Sequence, residues 1–386
     1  MVPRSVEAEL VLACARLDLA PDDRGRILQL LDAGVDWALA IAIADGNGVL
    51  PLVARHLLAL PDGVLPKALL VELWGRHEFA ARRKRAMARE LLQILELFDA
   101  NGVEAIPYKG PALAESLYGD VALREFGDLD ILLRPRDVLR AKALLQARGY
   151  VPEYPLEPAV EAAFLRSSAQ YHLVMVHEER GMVELHWKTD PDFQVERIAD
   201  ERWWSSLQRA PFGEGTVRRF SPEETLLILC VHGSKHYWNA LGWLVDVAEW
   251  LRQHPRTDWG WIAQGAQSLG CSRRVELGLL LAQNLLGAPL PQQVRARIAS
   301  QASLEPLADR IEATLLDPRF EGMRPFEAMR FNMRLYERNR DRLRYCVNTI
   351  LAPSLVEWTR WPLPRALFFL YPPLRLMRLS RKYLLR

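Results

Sequence analysis

The 386-residue sequence has no long apolar run, and no stretch approaches the roughly 18 uncharged apolar residues of a membrane span. Cysteine is sparse. Cys14, Cys230, Cys271 and Cys346 are far apart and form no C-x-x-C pair, so neither a disulfide framework nor a thiolate zinc site is expected. Net charge is almost absent: 50 Lys plus Arg against 48 Asp plus Glu give +2, which provides no overall field for nucleic acid. A secretion signal is not expected either, because Glu7 and Glu9 stand where a cationic start and an apolar run would be needed. A reducing cytoplasm is therefore the expected compartment. The chain also lacks repeats, low-complexity tracts and the spaced glycines of a Walker A or dinucleotide loop. What is present is the balance of a globular protein, half hydrophobic and a quarter charged.

The near-zero charge hides a split. Residues 340–386 hold ten Lys or Arg and two acids, so +8, which leaves 2 − 8 = −6 for the first 339 residues. An acidic body weighs against a long nucleic-acid substrate. In the basic end, Trp358, Trp361, Phe368, Phe369 and Tyr371 lie among arginines, and Pro362, Pro364, Pro372 and Pro373 interrupt them. Such a tail can pack on the acidic body, bind an acidic partner or make peripheral membrane contact.

Four regions are expected: N-terminal helices over 1–100, an α/β unit over 101–200, a second helical region over 201–339, and the tail. Helical spacing runs through Glu7–Leu17, Val35–Ala44 and residues 67–99, with Asn101-Gly102 stopping the last. Val103–Tyr108 reads as a strand, Ala112–Tyr118 as a helix, Asp130–Leu133 as a strand and Pro135–Arg148 as a helix. Tyr171–His177 and Met182–Trp187 read as strands of a hairpin. From Ser221 the chain is expected to be helical again, with Ser221 and Glu224 forming a capping box.

The most informative segment is Gly127-Asp128-Leu129-Asp130-Ile131-Leu132-Leu133. Residues two apart in a strand point to one side, so Asp128 and Asp130 aim two carboxylates at one point. Hard oxygen ligands of this kind suit Mg²⁺ or Mn²⁺. Asp190-Pro191-Asp192 has similar spacing, but its proline and position favour a turn. If Leu185 and Trp187 face the core, Glu184 and His186 face the other way, and Glu184 could be a third carboxylate. Upstream, Lys109-Gly110-Pro111 lies between a strand and a helix, where backbone N–H groups accept anions. His232 and His236 share a helix face. Three readings of them stay open: a polar wall of a nucleotide cleft, a zinc site with Asp246, or a core histidine bonded to Asp246.

Taken together, Tyr108-Lys109-Gly110-Pro111-Ala112-Leu113, Leu117-Tyr118, Arg124, Asp128-Leu129-Asp130 and Gly149-Tyr150 resemble the uncharacterised nucleotidyltransferase family. Val183-Glu184-Leu185-His186-Trp187 and the His232 to His236 segment are similar to further motifs of that family, and the resemblance spans roughly residues 35–380. It places the chain in the DNA polymerase beta-like nucleotidyltransferase superfamily. The fold implied is α+β: a small mixed nucleotidyltransferase sheet with helices, flanked by helical regions. The activity implied is metal-dependent transfer of a nucleoside monophosphate, AMP foremost, from a nucleoside triphosphate to a small-molecule or protein acceptor. By this resemblance Asp128, Asp130 and Glu184 hold Mg²⁺ or Mn²⁺ and carry the catalysis. Lys109, Gly110, Arg124, Lys235 and His236 are then expected around the nucleotide and its phosphates. The alternative is a non-catalytic nucleotide- or partner-binding module on the same fold.

Overall fold

The computed structural model describes residues 4–193, 201–320 and 322–383. The chain opens with helices Val6–Cys14, Pro21–Asp32, Trp37–Gly46 and Leu50–Leu58, followed by the long helix Lys67–Ala100. Local chemistry sets their ends. The Ser5 hydroxyl accepts from the Ala8 N–H, and the Asp36 carboxylate accepts from the Leu39 N–H, each satisfying a donor that the first helical turn leaves open. The long helix stops at Asn101, and Gly102 follows with φ +66°, as its sequence signal predicts.

A five-stranded sheet then forms from β1 (Ala105–Pro107), β2 (Asp128–Leu133), β3 (Val151–Pro152), β4 (His172–His177) and β5 (Gly181–His186). Their order is β1-β2-β5-β4-β3. β2 and β5 run parallel and the other neighbours antiparallel, so the sheet is mixed and the fold is α+β. Helices Gly110–Tyr118 and Val138–Ala147 fall close to the sequence reading, although a 3₁₀ turn over Pro135–Asp137 replaces the start of the second. Three strands were not expected: the two-residue β3 and a separate pair. β6 (Gln208–Phe212) and β7 (Gly215–Arg219) form a hairpin ahead of the helix Pro222–Lys235. Only Phe212 and Val217 of this hairpin are buried, too few to give an alternating signal.

Two apolar clusters hold the molecule. In one, N-terminal residues such as Leu10, Ile43 and Leu73 meet Leu244, Leu277 and Leu335, so the first and later helices share a core. In the other, Leu129, Ile131, Val183 and Leu185 from one face of the sheet pack on Ile94 and Phe98 of the long helix and on Val138 and Leu145. Each such side chain contributes about 1.5–3 kcal/mol on full burial. The opposite face of β2 and β5 carries Asp128, Asp130, Glu184 and His186 together with Leu132 and Met182.

The tail packs on this second cluster through Trp358 and Tyr371. Glu357 is fully buried and is bound by Arg375 and Arg378, which ties helix Leu355–Arg360 to helix Tyr371–Tyr383. Arg386 lies outside the described residues. Among the described residues no helix is long and apolar enough to cross a membrane.

Candidate functional site

The parallel pairing of β2 with β5 puts Asp130 beside Glu184 and Asp128 beside Met182. With a side-chain period of two, Asp128, Asp130, Glu184 and His186 share one face of the sheet. The sequence supplies the alternation, and the register brings the two strands' acids together. Carboxylate oxygens of Asp128, Asp130 and Glu184 all lie within 4.8 Å of one another. Asp130 is buried, while Asp128 and Glu184 are half-buried.

The glycine turn braces this centre. Lys109 precedes helix Gly110–Tyr118, and its Nζ lies 2.6 Å from Asp130 Oδ1. Gly110 has φ +52°, and a Cβ there would come 2.9 Å from the Asp128 carbonyl oxygen. Only glycine fits both the left-handed backbone and that close approach.

His186 is the residue whose role the sequence reading did not assign. Its Nε2 is 3.0 Å from Asp130 Oδ1 and 3.0 Å from Glu184 Oε2, and its Nδ1 is 3.1 Å from the Tyr108 hydroxyl. His172 stacks on it at 5.1 Å between ring centres, with Nε2 3.8 Å from Glu184 Oε1. The signal for His186 was its two-residue spacing from Glu184.

The three carboxyls titrate apart. Burial, reinforced by the Asp130 charge, pushes Asp128 up to about 6. Burial also opposes ionisation of Asp130, but Lys109 and His186 outweigh it and hold Asp130 well below the usual carboxylate range. Glu184 is lowered as well, since hydrogen bonding to His186 overcomes the cost of burial. His186 is raised by the same hydrogen bonds to Asp130 and Glu184, against burial. Burial, then the neighbouring His186 charge, lowers His172 to about 3. Asp128 is thus the carboxyl whose charge the protein neutralises least.

Helix Pro222–Lys235 brings the next group. Ser221 and Glu224 form the expected capping box at its start. At its other end Lys235 Nζ sits 3.9 Å from the Tyr171 ring centre. Burial lowers Lys235, and the nearby charges that oppose this include Asp190, Glu184 and Asp130. His232, His236 and Trp243 form a ring cluster, with His232 and His236 4.7 Å apart and His236 and Trp243 5.0 Å apart. Burial, then the Lys235 charge, lowers His236 to about 4. Among the described residues, these two histidines join no group of three metal-ligating side chains. Tyr237 and Trp238, which follow, have φ of 59° and 53°, an uncommon pair of left-handed bulky residues. Trp238 is wholly buried against Gly233 and Gly278.

The family resemblance implies Arg124 at the phosphates; in the structure its Nε and Nη2 donate to Asp246, at 2.9 Å to Oδ1 and 2.9 Å to Oδ2 respectively. Tyr118 donates to the same Asp246 Oδ1 at 2.7 Å. Burial makes a solvated arginine unavailable here, and pairing with Asp246 satisfies both charges. Asp246 is therefore the anchor of Arg124, and the core-histidine reading gives way. Asp190 behaves as the turn residue expected, its Oδ1 accepting from the N–H groups of Asp192 and Phe193.

Cavity size does not locate this centre. Cavities of about 680 and 700 Å³, one beside Glu276 and Arg297 and one beside Asp309 and Arg319, contain none of these side chains. No curated protein and no solved structure matches the chain. A family model described as uncharacterised nucleotidyltransferase does match, over residues 33–287, which covers the sheet, the turn at Lys109 and the helix carrying His232 but stops short of the tail. With two thirds of its length inside that match, the chain belongs to the uncharacterised nucleotidyltransferase family.

Proposed function

We propose that the protein moves a nucleoside monophosphate from a nucleoside triphosphate, ATP being the first donor to test, to a small-molecule or protein acceptor with Mg²⁺ or Mn²⁺. The observation that carries this reading is the meeting of Asp128, Asp130 and Glu184 oxygens within 4.8 Å on one sheet face. The residues fit a hard divalent ion. All three donors are carboxylate oxygens, and Asp128 has the charge that the protein neutralises least, which a cation would relieve. Ions held there would offset charge on the triphosphate and lower the proton affinity of the attacking oxygen.

The chain's own groups take the remaining tasks. Asp128 and Asp130 would hold an ion for the triphosphate, and Asp130 and Glu184 would hold one for the acceptor. The acceptor oxygen bonds to the α-phosphorus, the bond from that phosphorus to the pyrophosphate oxygen breaks, and Glu184 receives the acceptor's proton. Lys109, with the first-turn N–H groups after Gly110, offsets charge on the departing pyrophosphate. Lys235 and His236 stand beside the same face as further phosphate contacts. Arg124 positions rather than binds, since it fixes the chain ahead of β2 to Asp246.

The tail enters this proposal as a weak membrane contact. Arg375 and Arg378 are committed to Glu357, and Arg340 and Arg344 pair with Asp341, so Arg360, Arg365 and Arg381 are left to face outward. Sedimentation with anionic vesicles tests it; equal recovery with neutral vesicles removes it. The transfer itself is tested with a panel of α-labelled nucleoside triphosphates. Label moves to an acceptor in the presence of Mg²⁺, and the double variant Asp128→Asn with Asp130→Asn does not support it. Triphosphate binding without turnover would establish the non-catalytic module instead.

A further inference from the structure

The carboxylate face carries more ligating groups than a hard-ion centre needs. Beside it, His172, Glu184 and His186 bring one ligand atom each within 4.8 Å of one another. Two imidazoles and one carboxylate suit borderline divalent ions, whereas Mg²⁺ prefers oxygen alone. Antiparallel pairing of β4 with β5 places His172 opposite His186, so the two rings rise together from adjacent rigid strands. His186 also has the support of a metal-binding histidine. Its Nε2 points to the carboxylates, while Nδ1 lies 3.1 Å from the Tyr108 hydroxyl, a partner that can fix the ring's tautomer and orientation. Among the described residues, His172 Nδ1 is buried without a hydrogen-bond partner, so their polar contacts on its own side do not explain the ring's placement.

We propose that His172, Glu184 and His186 form a second cation site, sharing Glu184 with the carboxylate centre, that takes a first-row transition-metal ion which Mg²⁺ does not displace. The site makes the protein selective at one position for an ion of the Mn²⁺, Co²⁺ or Zn²⁺ class. It is a statement about ion binding and stands whether or not nucleotide is transferred.

The test uses Co²⁺ as the probe on the full-length, metal-stripped protein. Visible absorption of bound Co²⁺ reports nitrogen coordination, and equilibrium dialysis counts the ions. About one Co²⁺ per chain is expected to survive millimolar Mg²⁺, with absorption bands of mixed nitrogen and oxygen ligation. His172→Ala, and separately His172→Gln, lose that ion. Asp128→Asn keeps it and loses Mg²⁺ binding. Tyr108→Phe weakens Co²⁺ binding about tenfold, because the ring is no longer oriented, an effect that a merely structural tyrosine would not produce. Circular dichroism of each variant shows that it is folded. Complete displacement of Co²⁺ by Mg²⁺ overturns the proposal. So does unchanged Co²⁺ binding in folded His172 variants; if both fail to fold, complete Mg²⁺ displacement from the unaltered protein remains decisive.

Discussion

Asp128→Asn is expected to raise the stability of the metal-free protein, the opposite of most polar substitutions at a half-buried site. The carboxyl titrates at about 6 in the fold, against an ordinary value of 3.8, because it is buried and faces Asp130. A folded-state value above the unfolded one means that the fold binds the proton more tightly. The ionised form therefore costs stability: the cost is absent below about pH 4, grows as pH rises toward 6, and is complete above it. Roughly two pH units at 1.36 kcal/mol each set the upper limit at about 3 kcal/mol. An unfolding entropy near 2.1 cal/mol/K per residue gives about 0.8 kcal/mol/K for 386 residues, so the melting temperature rises by at most about 4 °C. Melting curves in chelator at pH 8 measure this. At pH 4.5 the advantage of the variant shrinks to about 1 kcal/mol. Added Mg²⁺ stabilises the wild-type protein and not the variant, since only the former gains a ligand for its native state. A variant that melts below wild type at pH 8 in chelator would refute the reasoning, for Asp128 would then be a satisfied structural group.

Three further outcomes are expected. Arg124→Ala leaves Asp246 buried with Tyr118 as its remaining bonded partner and costs about 3–5 kcal/mol in denaturant unfolding; a loss below about 1 kcal/mol would contradict the anchoring role. Gly110→Ala combines a left-handed backbone, at about 1–2 kcal/mol, with pressure on the Asp128 carbonyl, and titration calorimetry should show Mg²⁺ affinity falling about tenfold. Deleting residues 353–386 removes Trp358 and Tyr371 from the sheet-side core, a loss of about 3–6 kcal/mol, so the shortened chain should aggregate or melt earlier; an unchanged melting curve would show that the tail is not part of the core.

Much of the site was legible in the sequence because its signals are local. The two-residue period of Asp128 and Asp130 needs only a strand, and Glu184 could be placed opposite Leu185 and Trp187 by alternation alone. The register was not legible. Pairing Asp130 with Glu184 joins residues far apart in the chain, and it is this pairing that sets His186 between two carboxylates. Arg124 shows the same limit from the other side. The family resemblance implied a phosphate contact, whereas its partner Asp246 lies 122 positions away. The small mixed sheet was what the family resemblance implied, whereas an α/β unit between helical regions followed from the change of periodicity near residue 101. The β6–β7 hairpin did not, since short strands with few buried residues leave little pattern to read. Nor did the common core of the first and later helices, because an amphipathic face records that it is covered and not by what.

The most direct test of the carboxylate centre is pyrophosphate release from ATP, measured with and without Mg²⁺, for wild type and for Glu184→Gln, with acceptor present as clarified cell extract. Wild type is predicted to release pyrophosphate only with the ion, and Glu184→Gln to lose at least about 100-fold in rate while staying folded. Release that persists at the wild-type rate in folded Glu184→Gln, or that needs no divalent ion, would contradict the assignment of Asp128, Asp130 and Glu184 as the catalytic centre.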